Sequence, residues 1–282
     1  MENHYLNNGQ SGFTLIEIII VIVILAILGI GSVQFISFSA QGYVDTVRRS
    51  ELSSTATILN EKITRLVRDA LPNSVRITSD SRCIEFIPII GASRYTQAPF
   101  TFSPAGVART SVNTVPLDSV LSSNGYLSIF PTPSQQASLY SGSDNPGFIS
   151  LETVTLTGSV SGSSTYTFNA SASFEFQQES PNKRVFFTGS PVAFCQAGAR
   201  LFFYRNYGFV PSISNLVSNL PSGTPNRLLV ADKILPNSFV FKYLPSSLRR
   251  NAIVAYELEL QDSSNLLENL VVNQEVQIRN VP

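Results

Sequence analysis

The chain has no tryptophan, one methionine, one histidine and two cysteines among its 282 residues. Charge is scarce as well: 19 basic residues balance 19 acidic ones, and charged residues make up 13% of the total. Each shortage closes off a class of function. Without net positive charge there is no electrostatic footprint for DNA or RNA, so no nucleic-acid partner is expected. The histidine is His4, next to the N terminus. Serine–histidine–aspartate triads, cysteine–histidine pairs and histidine-built metal sites therefore have no material in the rest of the chain. No phosphate-binding glycine loop or calcium-loop spacing is present. No cofactor, metal or catalytic site is expected, and the chain reads as a non-enzyme.

The two cysteines, Cys83 and Cys195, lie far apart and lack CxxC spacing. In an oxidising compartment they would form a disulfide; the alternative is two buried thiols. Other candidates have ordinary structural readings. Glu257 and Glu259 share one face of a strand pattern and read as a wet face. Arg249 and Arg250 read as a solvated loop tip, and Tyr204, Tyr207 and Phe209 as core aromatics.

What the chain does have is a long apolar run. From Phe13 to Ile36 the only charge is Glu17. These 24 residues would form a helix of roughly 36 Å, enough to cross a hydrocarbon core of about 30 Å. An ionisable side chain inside such a span is costly and marks a functional position that needs a partner. A secretory signal would instead have a basic start and a shorter apolar core. The leader Met1–Gly12 has no Lys or Arg, and the first basic residues follow the span at Arg48 and Arg49. A short charge count would put the C-terminal side in the cytoplasm. A disulfide would put it outside, and the cysteine pair together with the N-terminal motif described next outweighs a short charge count.

Gly12-Phe13-Thr14-Leu15-Ile16-Glu17, running into the apolar segment, resembles the processing motif of type IV pilins and pseudopilins. The resemblance implies that a prepilin peptidase cuts between Gly12 and Phe13 and that the new amine of Phe13 is methylated. It also implies that Glu17 pairs with the terminal amine of a neighbouring subunit during assembly. Pairing a carboxylate with an ammonium in the same apolar layer removes much of the cost of burying either. Three later segments are similar to the large minor pilins of the mannose-sensitive haemagglutinin pilus: Arg65–Arg76, Arg82–Pro88 and Glu275–Pro282. The partners implied are the prepilin peptidase, other major and minor pilins, and the inner membrane, with the C-terminal domain in the periplasm. A J-type pseudopilin of a type II secretion system is the alternative. A periplasmic binding domain on a plain membrane anchor is the alternative of another class.

Beyond the span the helical signal returns. Leu52, Ala56, Leu59, Ile63, Leu66 and Ala70 recur at intervals of four and three, widened by Val67, opposite a face with Glu61, Lys62, Arg65, Arg68 and Asp69. Leu71-Pro72 ends the pattern. From Val75 the period shortens to that of strands, including Cys83–Ile89, Ser173–Phe176, Arg200–Tyr204, Arg227–Ala231 and Ala252–Gln261. Ser134–Ser173, rich in Ser, Thr and Gly, reads as a surface hairpin or mobile loop. The fold expected is α+β: a long N-terminal helix packed on an antiparallel β-rich head. Its divisions are a leader 1–12, an apolar span 13–36, an amphipathic continuation 37–71 and a head 72–282.

Overall fold

The computed structural model describes residues 12–103, 109–116, 125–160, 163–168, 173–246, 250–262 and 265–278. Leu15–Arg68 forms one helix, α1. The strands after it are β1 (Arg76–Ile77), β2 (Cys83–Phe86), β3 (Ile89–Gln97), β4 (Ser111–Thr114), β5 (Tyr126–Ser128), β6 (Val154–Val160) and β7 (Ser163–Phe168). They continue as β8 (Arg184–Thr188), β9 (Val192–Ala197), β10 (Arg200–Tyr204), β11 (Arg227–Ala231), β12 (Val240–Leu244), β13 (Ala252–Asp262) and β14 (Asn265–Ile278). The architecture is α+β with antiparallel sheets.

The strands form three sheets: β1-β2-β9-β10-β11, β12-β13-β14 and β5-β8-β3-β4-β7-β6. The chain divides into two compact units, Met1–Glu51 and Leu52–Pro282. Within the first, the apolar residues Phe13–Ile36 of and beside α1 are exposed. Within the second, Leu52, Ala56, Leu59, Ile63 and Val67 of α1 are buried. They join Phe86 and Phe194 of the five-stranded sheet and Val254, Leu258 and Val276 of the three-stranded sheet in one core. The stripe follows Val67 rather than Leu66, which is only partly buried against the same core. The alternation along β13 holds: Val254, Tyr256, Leu258 and Leu260 point inward, while Glu257 is exposed.

Local chemistry explains where the observed boundaries differ from the expected ones. The helix ends at Arg68, earlier than Leu71, because the next backbone groups are taken by another strand segment. Leu71 N–H donates to Ile87 O at 2.7 Å, and Ile89 N–H donates to Asp69 O at 2.8 Å. Asn73 then adopts a left-handed φ of 62°, which redirects the chain into β1. Cys83–Ile89 is not one strand. Pro88 has no N–H to donate, and there the chain leaves the five-stranded sheet for β3 of the six-stranded one. Within Ser134–Ser173, β6 and β7 pair as a hairpin belonging to the six-stranded sheet. Ser173–Phe176 is not a strand; only isolated bridges form, from Phe176 to Phe100 and to Gly147. Its alternation reports the burial of Phe174 and Phe176 in a separate aromatic core, not a ladder.

Cys83 and Cys195 are joined by a disulfide across a separation of 112 residues. They sit directly opposite each other in the β2–β9 register, so the bond links strands already paired by backbone.

Candidate functional site

The N-terminal motif lies at the start of α1. Gly12, Phe13 and Thr14 precede the helix, and Leu15 is its first residue. Thr14 occupies the N-cap position. Its carbonyl accepts from Glu17 N–H at 3.1 Å and Ile18 N–H at 3.3 Å, and its hydroxyl accepts from Glu17 N–H at 3.4 Å. Thr14-Leu15-Ile16-Glu17 therefore has the spacing of a capping box, with the acidic residue in the first turn where the helix dipole favours it. That pattern was readable as Thr-x-x-Glu, and it gives Thr14 a role that the apolar periodicity alone does not.

The motif is open to contact. Phe13 is 80% exposed. A Cβ placed on Gly12 would meet nothing within 4 Å among the described residues, so their packing does not require glycine there. Glu17 is exposed, and its carboxylate has no partner among the described residues. The leader residues Met1–Ser11 lie outside the described residues. The structure thus brings Gly12, Phe13 and Glu17 together at one helix start, while Cys83 and Cys195 lie in the second unit.

The polar centre of the head is a cluster that sequence reading missed. Arg76 on β1 pairs with Glu85 directly opposite on β2, and both are buried. The Arg76 guanidinium also donates to the carbonyls of Val210 and Pro211, the latter at 3.0 Å. It lies 3.5 Å from the centroid of the Tyr140 ring. Tyr207 O–H donates to the second oxygen of Glu85 at 3.0 Å, and Tyr140 O–H donates to Ser74 O at 2.6 Å. Burial pushes the Glu85 carboxyl up from its ordinary range, against the opposing pull of Arg76 and Tyr207. Burial raises both tyrosine hydroxyls well above theirs, so they remain neutral donors. Arg76 and Glu85 are nine residues apart, but Tyr140 comes from 66 residues beyond Ser74 and Tyr207 from 122 beyond Glu85, and no local spacing announces the cluster. Every polar arm is used inside the fold, which marks the cluster as a structural tie.

The remaining sequence candidates do not converge. Glu175 pairs with Arg109, and Asp144 accepts from Ser138 at 2.6 Å. Glu257 and Glu259 lie on the solvent side of β13. Asp118 and Arg249 lie outside the described residues. Among the described residues no group of three or more His, Cys, Asp or Glu could hold a metal ion. Tyr204 is buried beside the disulfide, with Tyr207 packed against the same small core, while Phe209 packs edge-on to Tyr126 at 4.9 Å.

A family model described as the prokaryotic N-terminal methylation motif matches residues 7–33. No curated protein and no solved structure matches the chain. The matched residues include the Gly12–Phe13 junction, Glu17 and most of the apolar span. They support a type IV pilin-like or pseudopilin subunit, a structural class whose N-terminal motif implies processing by prepilin peptidase and assembly with other pilins. The exposed apolar helix fits membrane anchoring.

Proposed function

We propose that the chain is a minor pilin of a type IV pilus of the mannose-sensitive haemagglutinin type, acting in filament initiation and located at the tip. The observation that carries this reading is the coincidence of Gly12, Phe13 and Glu17 at the start of an exposed apolar helix, within the matched methylation motif. Among the described residues nothing would meet a side chain at Gly12, so its identity answers to a processing enzyme better than to packing against them. The resemblance of Arg65–Arg76, Arg82–Pro88 and Glu275–Pro282 to large minor pilins favours a pilus over a secretion system. The size of the head suits a tip better than a packed shaft.

In this reading residues 1–12 are the leader, Phe13 carries the methylated amine and Glu17 pairs with the amine of a neighbouring subunit. Residues 13–36 anchor the chain in the inner membrane and then enter the filament core; residues 37–71 continue the helix and 72–282 form the head. The Cys83–Cys195 disulfide supports a head in the oxidising periplasm. Co-expression with a prepilin peptidase followed by N-terminal sequencing tests the processing step. A mature chain beginning with N-methylated Phe13 is expected; any other start overturns the reading. Glu17→Ala is expected to insert into the membrane normally but to impair piliation, and unchanged piliation would remove the assembly role. Loss of protein secretion with intact pili on deletion of the chain would replace the pilus by a type II secretion system.

A further inference from the structure

β14 is the outermost strand of the three-stranded sheet and pairs with β13 alone. Its two faces differ. Leu270 and Val272 pack half-buried against the head core, and Val276 and Ile278 lie within it. Asn269, Val271, Asn273, Glu275 and Gln277 occupy the other face and are exposed, as the period of two along a strand requires.

Hydrogen-bond alternation shows which backbone groups lie on the open edge. On the side of β13 away from β14, Glu259 O accepts from Leu235 N–H at 2.7 Å, and Gln261 N–H donates to Lys233 O at 2.8 Å. The residues of β13 that turn their backbone toward β14 are therefore Val254, Tyr256, Leu258 and Leu260. Opposite them in the register stand Val276, Gln274, Val272 and Leu270. The alternate residues Asn269, Val271, Asn273, Glu275 and Gln277 turn N–H and C=O outward, where no backbone partner meets them among the described residues. The Glu275 carbonyl accepts from the Gln274 side chain at 3.3 Å.

An open edge of this kind is a template for another strand, and proteins guard such edges with proline, lysine or a bulge. Asn269–Gln277 contains none of these. The segment also complements itself. Asn269-Leu270-Val271-Val272-Asn273 reads alike from either end, as asparagine, three apolar residues and asparagine. Turned antiparallel about Val271, a second copy sets Val271 against Val271, Asn269 against Asn273 and Leu270 against Val272. This register keeps the core-facing residues of both copies on one face, whereas a slip of one residue would turn one copy over. Glu268 can oppose Glu275 only in such a slipped register, so the joined strands avoid that like-charged pair.

We propose that two copies of the chain pair through β14, antiparallel about Val271, and join their three-stranded sheets into one continuous sheet. Asn269, Val271 and Asn273 all present outward backbone groups, so the three central pairs are hydrogen-bonded ones and supply about six bonds. The contact is isologous, as a two-fold dimer requires. It covers Val271, which is 53% exposed, and the open side of Leu270 and Val272. β14 lies wholly in the head, so the proposal is independent of processing at Gly12.

The test uses the full chain in detergent, with light-scattering mass corrected for the micelle. A dimer is expected. Val271→Pro removes an outward N–H and spares the bonds to β13, while Val271→Lys sets two ammonium groups opposite each other. Each is expected to weaken dimerisation about tenfold or more. Directly opposed, hydrogen-bonded residues have Cα atoms ~5.5 Å apart, within reach of a disulfide. Val271→Cys is therefore expected to give a linked dimer on mild oxidation. Gln277→Cys, also exposed, would lie about 40 Å from its counterpart and is expected to stay unlinked. A monomer at up to about 0.1 mM overturns the proposal. A dimer unweakened by both Val271 substitutions places the contact on another surface and overturns it too. Equal linking of the two cysteine variants overturns the register about Val271.

Discussion

The two ends of α1 obey the same backbone geometry and face opposite environments. Between Phe13 and Ile36 the large apolar side chains are 48% exposed or more. In the second unit Leu59, Ile63 and Val67 are fully buried in the head core. The difference lies in the side-chain pattern. The first stretch is apolar all round, so no single protein face could cover it; the second is apolar on one stripe, which two sheets cover. Helix formation alone therefore says little about what a segment does, and the angular spread of its apolar residues says more.

Four experiments would break or sharpen that contrast, the largest expected effect first and Ile24→Ala set beside Ile63→Ala as its control. Glu85→Ala leaves the buried Arg76 guanidinium without its carboxylate and is expected to cost about 3–5 kcal/mol in denaturant unfolding of the head. Ile63→Ala, in the fully buried stripe, is expected to cost about 2–5 kcal/mol. Ile24→Ala, in the exposed stretch, is expected to leave the same unfolding midpoint unmoved; equal losses at both positions would erase the distinction between the two stretches. Replacing Cys83 and Cys195 together by Ala is expected to cost about 2–4 kcal/mol, with the head still folded because β2 and β9 keep their backbone pairing.

A further effect is on pH dependence. Burial pushes the Tyr243 and Tyr256 hydroxyls up to about 12, and both side chains belong to the head. A raised pKa in the folded state favours the neutral form there. The associated stability is fully present below about pH 10, the unfolded value, and is lost as pH rises toward about 12. Unfolding midpoints followed through that window, together with tyrosinate absorbance, check it. A midpoint that stays level while the tyrosines ionise would contradict the burial of these hydroxyls.

Much of the helix was legible beforehand, because one segment carries its own period. Leu52, Ala56, Leu59 and Ile63 announced their buried face by spacing alone. β10 and β11 were also readable, being short runs of Leu, Phe, Tyr and Val bounded by turn residues. β4, with Val112 as its one apolar residue, carries no such signal and exists because β3 and β7 pair with it on either side. The Arg76–Glu85–Tyr207 cluster was hidden for the same reason. Its members are ordinary residues until the strand register and the loop carrying Tyr207 bring them together.

By itself, the sequence determined the helix, its apolar and amphipathic stretches, the β-rich character of the head and the Gly12–Glu17 motif. These are properties of neighbours in the chain, set by side-chain period and local capping. Only the tertiary structure decided which strands share a sheet, where Pro88 passes the chain between sheets and how Arg76 is neutralised. Those outcomes depend on contacts between residues distant in sequence, whose pairing no local pattern encodes.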